Sequence, residues 1–195
     1  MNTNKVEVDL ALAYRLLHPR HVVLVSCSDR TGKTNIITLA WSMPTSIQPP
    51  LLVISVRPER YSHRLIEEAG EFVVNVPTME IVKETLYCGR VSGSECDKFA
   101  STHLTASPAR KVQSPIIKEC VAHLECKLTQ TITTGDHTLF VGQILTAYVN
   151  KGILTKTFKF HLRKVKPILH MGGDSFVTIS SRVVKPRIDV CAGKK

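Results

Sequence analysis

The chain has 195 residues, of which 43% are hydrophobic, and it carries a formal net charge of +10. This length favours one domain over residues 1–195, with residues 174–195 as a loosely attached basic tail. No apolar stretch reaches the roughly 18 residues that a membrane span needs. The N-terminus also lacks the apolar core of a secretory signal, so we expect no membrane partner and a cytoplasmic location.

The positive charge indicates an anionic partner, which could be a phosphate group, a nucleic acid or an acidic protein. The basic residues are scattered and form no run as long as a nucleic-acid-binding arm, so nucleic acid is disfavoured as the main partner. The six cysteines contain no C-x-x-C pair. They are typical of reduced, mostly structural thiols in a reducing compartment.

Apolar runs bounded by turn residues predict strands, and apolar residues at helical spacing predict short helices. Strands are expected at residues 21–28, 34–41, 51–56, 71–77, 121–133, 138–149 and 165–171. Helices are expected at residues 9–17, 62–70 and 79–88, followed by a short helical turn near residue 99. Most connections between strands are of hairpin length, which indicates antiparallel pairing. The expected fold is mainly β, a barrel with peripheral helices, because a doubly wound sheet needs more helices between its strands.

Single residues predict where several of these elements begin and end. Asp9 and Ser62 are expected to be helix N-caps, and Gly70 is expected to end the second helix. Gly32 lies in a tight turn that favours a positive φ angle. The prolines between residues 43 and 50 indicate a loop between the second and third strands.

Two nucleotide-binding motifs are excluded by the sequence. Gly32-Lys33-Thr34 looks like the end of a phosphate-binding P-loop, but Cys27 occupies the position where that motif requires glycine. A hairpin turn is therefore the preferred interpretation. No G-x-G-x-x-G sequence is present, so a nicotinamide cofactor, if one is used, binds by another motif.

Two clusters of ionisable residues have a structural and a functional interpretation. Cys120, His123 and Cys126 have a spacing that could suggest a metal site, but His123 would lie on the opposite face of a strand from the cysteines. Core cysteines are the better interpretation. Asp136 and His137 lie at the turn of the long hairpin, where His137 could carry a proton or bind an anion, or could simply be a turn residue.

A candidate phosphate site follows the third strand. Arg57 and Arg60 lie just before the helix that starts near Ser62 and His63. Helix N-termini attract phosphate, and arginine matches the geometry of phosphate oxygens. The alternative is a capped helix with solvated arginines. Trp41, the only tryptophan, could be a core residue or could stack on a flat ring.

Several segments together carry a resemblance to a known family. They are Thr38–Pro44, Pro49–His63, Gly70–Pro77, Ser92-Gly93, Asp97–Phe99, Asp136-His137 and Phe140–Gly142. In this order they resemble the flavin reductase-like, FMN-binding split-barrel family, which includes flavoredoxin and the archaeal ferric reductases. The resemblance spans roughly residues 20 to 173. It implies an antiparallel split barrel that works as a homodimer, with FMN near the subunit interface.

The resemblance also implies a set of site residues, carried over by position. The implied FMN-binding residues are Thr38, Leu39, Ala40, Trp41, Ser42, Ser55, Val56, Arg57, Arg60, Ser62, His63 and Lys98. Residues 38–42 would lie along the isoalloxazine and the ribityl chain, and residues 55–57 would border them. Arg60, Ser62 and His63 would hold the phosphate, with Lys98 as a weaker candidate. His137 would stand near the reactive edge of the flavin as the catalytic residue.

Three functions remain as hypotheses. The first is an FMN-dependent oxidoreductase that passes electrons from NADH or NADPH to a flavin, ferric or other acceptor. The second is a flavoredoxin-type carrier that exchanges electrons with a redox protein partner such as a ferredoxin. The third and least favoured is a basic nucleic-acid-binding module, which would show steeply salt-dependent binding.

Overall fold

The computed structural model describes residues 4–183 of the chain. Its strands are β1 (Arg20–His21), β2 (Val23–Ser28), β3 (Thr34–Leu39), β4 (Ser42–Ser46), β5 (Leu51–Val56), β6 (Glu71–Val76), β7 (Ala106–Ser107), β8 (Ile116–Ile117), β9 (Ala122–Thr134), β10 (His137–Val149), β11 (Leu169–Gly172) and β12 (Ser175–Val177). Its α-helices are α1 (Tyr61–Ala69), α2 (Val82–Arg90) and α3 (Lys98–Thr102), and 3₁₀ helices cover Leu10–Leu17 and Met79–Ile81. Within residues 4–183, no helix combines the length and apolarity that crossing a bilayer requires.

The strands build the split barrel. Seven of them form one antiparallel sheet in the order β3-β2-β6-β9-β10-β5-β4, and β1, β11 and β12 form a smaller sheet beside it. The prediction of a mainly β antiparallel split barrel with peripheral helices is confirmed. The chain passes directly from edge strand β3 to edge strand β4. There the Ser55 N–H donates to the Trp41 carbonyl at 2.9 Å, so β3 and β5 approach each other at the opening of the barrel.

The core has two layers because β2 and β3 are covered on both faces. Residues of alternating positions, such as Val25 and Ile37, point into the barrel with Phe72 and Phe140. Leu24 and Ile36 point to the opposite face and belong to a second cluster, which packs under α2 and α3. Burial on both faces explains why residues 22–25 are all apolar and why even Ser26 and Ser28 of β2 are buried.

Several local predictions are confirmed. Asp9 caps the first helix, since its side chain accepts from the Ala11 N–H at 2.9 Å. Gly32 and Gly70 have φ angles of 87° and 67°, which only glycine adopts without strain. The predicted long hairpin is formed by β9 and β10.

Other predictions are corrected at element ends. Ser62 is not the N-cap of α1, because α1 begins at Tyr61 and Arg60 occupies the cap without a side-chain hydrogen bond. The first helix is 3₁₀ and has no buried residue, so no packed face holds it in the α form. The second strand ends at Leu39, because the chain bends through residues 40 and 41 into β4.

The proline-containing loop and the C-terminal region also differ from expectation. The loop contains the edge strand β4, where Pro44 is tolerated because an edge strand pairs on one side only. The last predicted strand is shorter, since β11 starts only at Leu169. The predicted tail is structured at its start, where β12 pairs with β11. The rest of that tail, residues 184–195, lies outside the described residues.

A buried polar network centred on Asn75 of β6 connects this strand to β2, β8 and β9. Asn75 Oδ1 accepts from the Ile117 N–H at 3.0 Å and lies 2.8 Å from His123 Nδ1. The Asn75 amide nitrogen donates to the Leu24 carbonyl and to Ser26 Oγ, so its oxygen is the acceptor and His123 carries the proton on Nδ1. Burial lowers the pKa of His123 to about 4, despite the neighbouring Glu125 carboxylate. His123 is therefore neutral in the folded chain near pH 7.

His123 makes folding stability depend on pH in a definite window. Its ordinary pKa is 6.5, so His123 becomes protonated below about pH 6.5 in the unfolded chain but only below about pH 4 in the folded chain. Stability from this residue is therefore complete above pH 6.5 and is lost as the pH falls to 4, by about 3 kcal/mol at most. Urea titrations at several pH values should show this loss, and His123→Gln should remove it. The exposed His103→Asn control should leave the pH profile unchanged; equal slopes in all three proteins would contradict the assignment.

Candidate functional site

The opening of the split barrel holds a cavity of about 480 Å³ with mostly polar walls. Its walls are built by β3, the end of β5, the start of α1, the end of α2 and the loop that follows α2. A strand end next to a helix start places polar side chains and free backbone N–H groups at one rim. The cavity therefore lies where the sequence predicts a ligand site.

Eleven of the thirteen predicted site residues line this cavity. They are Thr38, Leu39, Ala40, Trp41, Ser55, Val56, Arg57, Arg60, Ser62, Lys98 and His137. The other two are not brought to it. Ser42 lines a second, adjacent cavity instead. His63 turns away, with its Nε2 atom 2.8 Å from Thr138 Oγ1 and its ring against Phe140.

The His63 side chain therefore packs against other protein residues and does not face the cavity. The helical spacing of α1 explains this, because consecutive residues of a helix point about 100° apart. Ser62 points towards β3, and His63 then packs against β10. The sequence places both residues at a helix start but does not distinguish their directions.

One end of the cavity is suited to an anion. Four cationic side chains line the cavity against two acidic ones, namely Arg57, Arg60, Arg90 and Lys98 against Glu59 and Glu95. Arg57 and Arg90 form ion pairs with Asp136 and Asp174. Arg60 and Lys98 are the cationic residues of this set that remain for an anion. Helix α1 has no acidic residue in its first turn, so the partial positive charge of its N-terminus is not offset there. The backbone N–H groups of Tyr61 and Ser62 have no acceptor within the helix.

Asn35 on β3 forms a hydrogen bond with Ser62. Its Nδ2 donates to Ser62 Oγ at 2.7 Å, and both residues are buried. Its Oδ1 atom is buried and has no hydrogen-bond partner among residues 4–183. Unpaired buried acceptors are rare, and one in a cavity wall indicates a missing donor from a ligand or water. Gly93 leaves this oxygen room, since a Cβ atom there would lie 2.0 Å from it.

Lys98 is a candidate phosphate ligand in the sequence, but in the structure its ammonium group bonds to the protein backbone. Its Nζ donates to the Ile36 and Cys88 carbonyls, both at 2.7 Å, and thereby ties β3 to α2. Burial lowers the pKa of Lys98, although the nearby Cys88, Cys96 and Cys27 sulfur atoms act in the opposite direction. Two of its three donors are used, so only one N–H remains for a ligand.

Arg57, Asp136, His137 and Trp41 form a chain across the mouth of the cavity. Arg57 Nη2 donates to Asp136 Oδ2 at 2.7 Å, and Asp136 Oδ1 accepts from His137 Nδ1 at 2.6 Å. The hydrogen bond from His137 and the charge of Arg57 lower the pKa of Asp136. The His137 ring then stacks on Trp41, with centroids 4.7 Å apart and planes inclined by 22°. Asp136 thus orients His137 and leaves its Nε2 atom for another partner.

Sequence reasoning missed the far wall of the cavity. This wall includes Gly89, Arg90, Gly93 and His170, and Asn35 on β3 was missed as well. Only Ser92-Gly93 had a signal, because it belongs to the segments that carry the family resemblance. His170 lies on β11 and lines the cavity. Arg90 Nε donates a hydrogen bond to Asp174, in the turn between β11 and β12, at 2.7 Å. These contacts join residues far apart in sequence, so no local pattern marks them.

Comparison with known proteins places these features in a family. The family model described as "Flavin reductase like domain" matches residues 14–174. An uncharacterized protein of Archaeoglobus fulgidus is 42% identical over 79% of this chain and 86% of its own length. The reductase subunit HsaB of a flavin-dependent monooxygenase of Rhodococcus jostii is 30% identical over 72% of this chain and 74% of its own. The solved flavoredoxin of Methanosarcina acetivorans has a TM-score of 0.82 at 31% identity, covering 93% of this chain and 94% of that one.

Proposed function

The chain belongs to the flavin reductase-like domain family, and on this premise we propose that it binds FMN in the cavity at the opening of the barrel. We propose further that it passes electrons from NADH or NADPH to a flavin, ferric or other acceptor. The observation that carries this proposal is the layout of the cavity. The same cavity is lined by a helix start with a cationic side chain and by the flat Trp41–His137 pair.

The residues present fit FMN in size and chemistry. A cavity of about 480 Å³ falls within the roughly 300–1,000 Å³ usual for small-molecule sites. The α1 start with Arg60 and Ser62 suits a phosphate group. The unpaired Asn35 oxygen suits a hydroxyl donor such as those of a ribityl chain. Trp41 and His137 provide the flat surfaces that suit an isoalloxazine ring.

Bound FMN would supply the redox chemistry, and the protein would supply binding, orientation and electrostatics. Arg60 and the α1 N-terminus would hold the dianionic end. Lys98 would maintain the distance between β3 and α2, since it bonds to carbonyls of both. Asp136 would keep the proton of His137 on Nδ1, so that the His137 Nε2 atom can accept a proton at the mouth of the cavity.

A flavoredoxin-type electron carrier is the second candidate function. The net charge of +10 favours it, because a positive protein steers an acidic redox partner such as a ferredoxin towards itself. The similarity to the flavoredoxin of M. acetivorans supports the same candidate. In this case a reduced protein, and not a nicotinamide, would deliver the electrons.

We also propose that the chain forms a homodimer. The first 3₁₀ helix and the segment after β4 expose large apolar side chains, including Leu10 (89% exposed), Leu16 (70%) and Ile47 (96%). Contiguous exposed apolar surface marks interaction sites, and we propose that these side chains contribute to one. A second copy of the chain would cover it, and sedimentation at increasing concentration would measure the association.

Two spectroscopic measurements test the proposed function. We expect the purified protein, after addition of FMN and desalting, to retain about one flavin per chain with a visible absorption spectrum. Anaerobic stopped-flow mixing with NADH or NADPH should then bleach that spectrum promptly if the chain is a reductase. Bleaching only by a reduced ferredoxin-type protein would favour the carrier. A protein that retains no flavin would contradict both candidates.

A further inference from the structure

A second cavity, also of about 480 Å³, lies beside the first and has mostly apolar walls. Leu17, Met43, Val53 and Leu139 contribute to these walls. Its size falls within the range of small-molecule sites, and FMN is assigned to the first cavity. The apolar walls select a molecule whose body is apolar.

The two cavities share a partition. Trp41 and His137 line both of them, and their rings stack on each other at 4.7 Å. Ser55 and Ala40 also line both cavities. A molecule in the second cavity would therefore meet flat aromatic surfaces, which favour a planar body.

Arg20 provides the second cavity with a cationic group. Its Nε atom is buried and has no hydrogen-bond partner among residues 4–183. Its guanidinium carbon lies 5.2 Å from the Trp41 ring centroid and 5.8 Å from that of Tyr14, and its Nη2 donates to the Tyr14 carbonyl. In the described part of the chain, no carboxylate lies within ion-pair distance of Arg20.

The acidic residue in the wall does not cancel this charge. Asp136 lines the second cavity, but its two oxygens are engaged by Arg57 and by His137. Within the described residues, the positive charge of Arg20 is thus not neutralised by an ion pair with a carboxylate. Arginine in such a position binds a carboxylate with two parallel hydrogen bonds when a ligand supplies one.

We propose that the second cavity is a binding site for a planar, apolar molecule with one anionic group, such as an aromatic carboxylate. The aromatic body packs between the Trp41–His137 partition and the aliphatic walls, and Arg20 binds the carboxylate. This binding does not require FMN. Only the position of the molecule next to a flavin rests on the proposed function.

The single tryptophan makes the test direct, because Trp41 is the only source of tryptophan fluorescence and lines the cavity. Flavin-free protein is titrated with benzoate and, separately, with benzamide, which has the same shape without the charge. We expect a saturable change in Trp41 emission and at least ten-fold tighter binding of benzoate. No saturable change, or equal affinities, would overturn the proposal. A second copy of the chain that fills the cavity would give the first of these results.

Variants locate the anionic group. Arg20→Gln should weaken benzoate binding at least ten-fold without changing benzamide binding, and Arg20→Lys should recover part of the loss. Arg15→Gln is the matched control, because Arg15 also lies over the Tyr14 ring but does not line the cavity. An equal loss in the Arg15 variant would overturn the assignment to Arg20. Melting temperatures report whether each variant is folded, and the wild-type comparison of benzoate with benzamide stands without them.

An FMN titration with and without benzoate separates this proposal from the proposed function. If FMN binds and benzoate does not compete with it, both proposals stand. Competition would mean that benzoate enters the first cavity, which overturns the second site. If FMN does not bind but benzoate does, the proposed function fails while the second site stands.

Discussion

Replacing both Arg60 and Ser62 with alanine should raise the dissociation constant for FMN by about 100-fold. Arg60 lines the cavity next to the start of α1, and the buried Ser62 hydroxyl lies at the same end. Each hydrogen bond to a charged group contributes roughly 1.5–3 kcal/mol, so the loss of two amounts to about 3 kcal/mol or more. The double variant should therefore lose its visible spectrum during desalting, whereas the wild type should keep it.

The control for this experiment is Arg64→Ala. Arg64 lies on the same helix and carries the same charge, but it packs over the Tyr61 ring and does not line the cavity. Its removal should leave FMN binding within about two-fold of wild type, since the effect of a distant surface charge is largely screened. Ser62→Ala leaves the Asn35 amide without its acceptor, so melting temperatures must accompany the titration. A folded double variant with full flavin occupancy would refute the phosphate assignment.

Gly93→Ala should weaken FMN binding at least ~10-fold and lower stability by about 1–3 kcal/mol, as overpacking of a buried site does. A Cβ atom at Gly93 would lie 2.0 Å from Asn35 Oδ1 and 2.6 Å from its Cγ, so the Asn35 side chain has to move. That movement breaks the hydrogen bond from Asn35 to Ser62 and displaces the polar wall of the cavity. Fluorescence titration with FMN and thermal unfolding measure the two effects.

Two further variants make this prediction specific. Gly89→Ala is the same substitution in the same cavity, but its Cβ atom would lie 3.2 Å from Thr38 Cβ, so a smaller effect is expected. Asn35→Ala removes the atoms that a Cβ at Gly93 would meet. In that background, Gly93→Ala should cost little additional stability, and a double-mutant cycle measures the coupling. Additive costs would show that the Gly93–Asn35 contact is not the cause.

Local pattern was a good guide to the elements of this fold. The β5 run Leu51–Val56 and the hairpin of β9 and β10 were predicted within a residue or two, because burial and turn chemistry are properties of neighbouring residues. The errors lie at element ends. Serine before an apolar periodic segment is a common cap signal and predicts Ser62 as the N-cap, but α1 starts at Tyr61 and Arg60 is the cap.

The candidate site was partly accessible from sequence. Residues 38–41 and 55–60 adjoin strand ends, and a strand end next to a helix start is a local feature. Ser42 and His63 are the two exceptions. Each is next in sequence to a residue that lines the cavity, but its own side chain does not line it. A difference of one position reverses the direction of a side chain on a strand and rotates it by about 100° on a helix, so adjacency does not guarantee access.

Periodicity, turn residues and the order of short motifs were sufficient to identify the fold class, the family and the cavity residues at the ends of β3 and β5. Three contacts became visible only in the folded chain: Asn35 meets Gly93, Asp136 joins Arg57 to His137, and Arg20 lines a second cavity next to Trp41. The reason is physical: each of these contacts joins segments that are far apart in the chain, and the packing of the whole barrel brings them together.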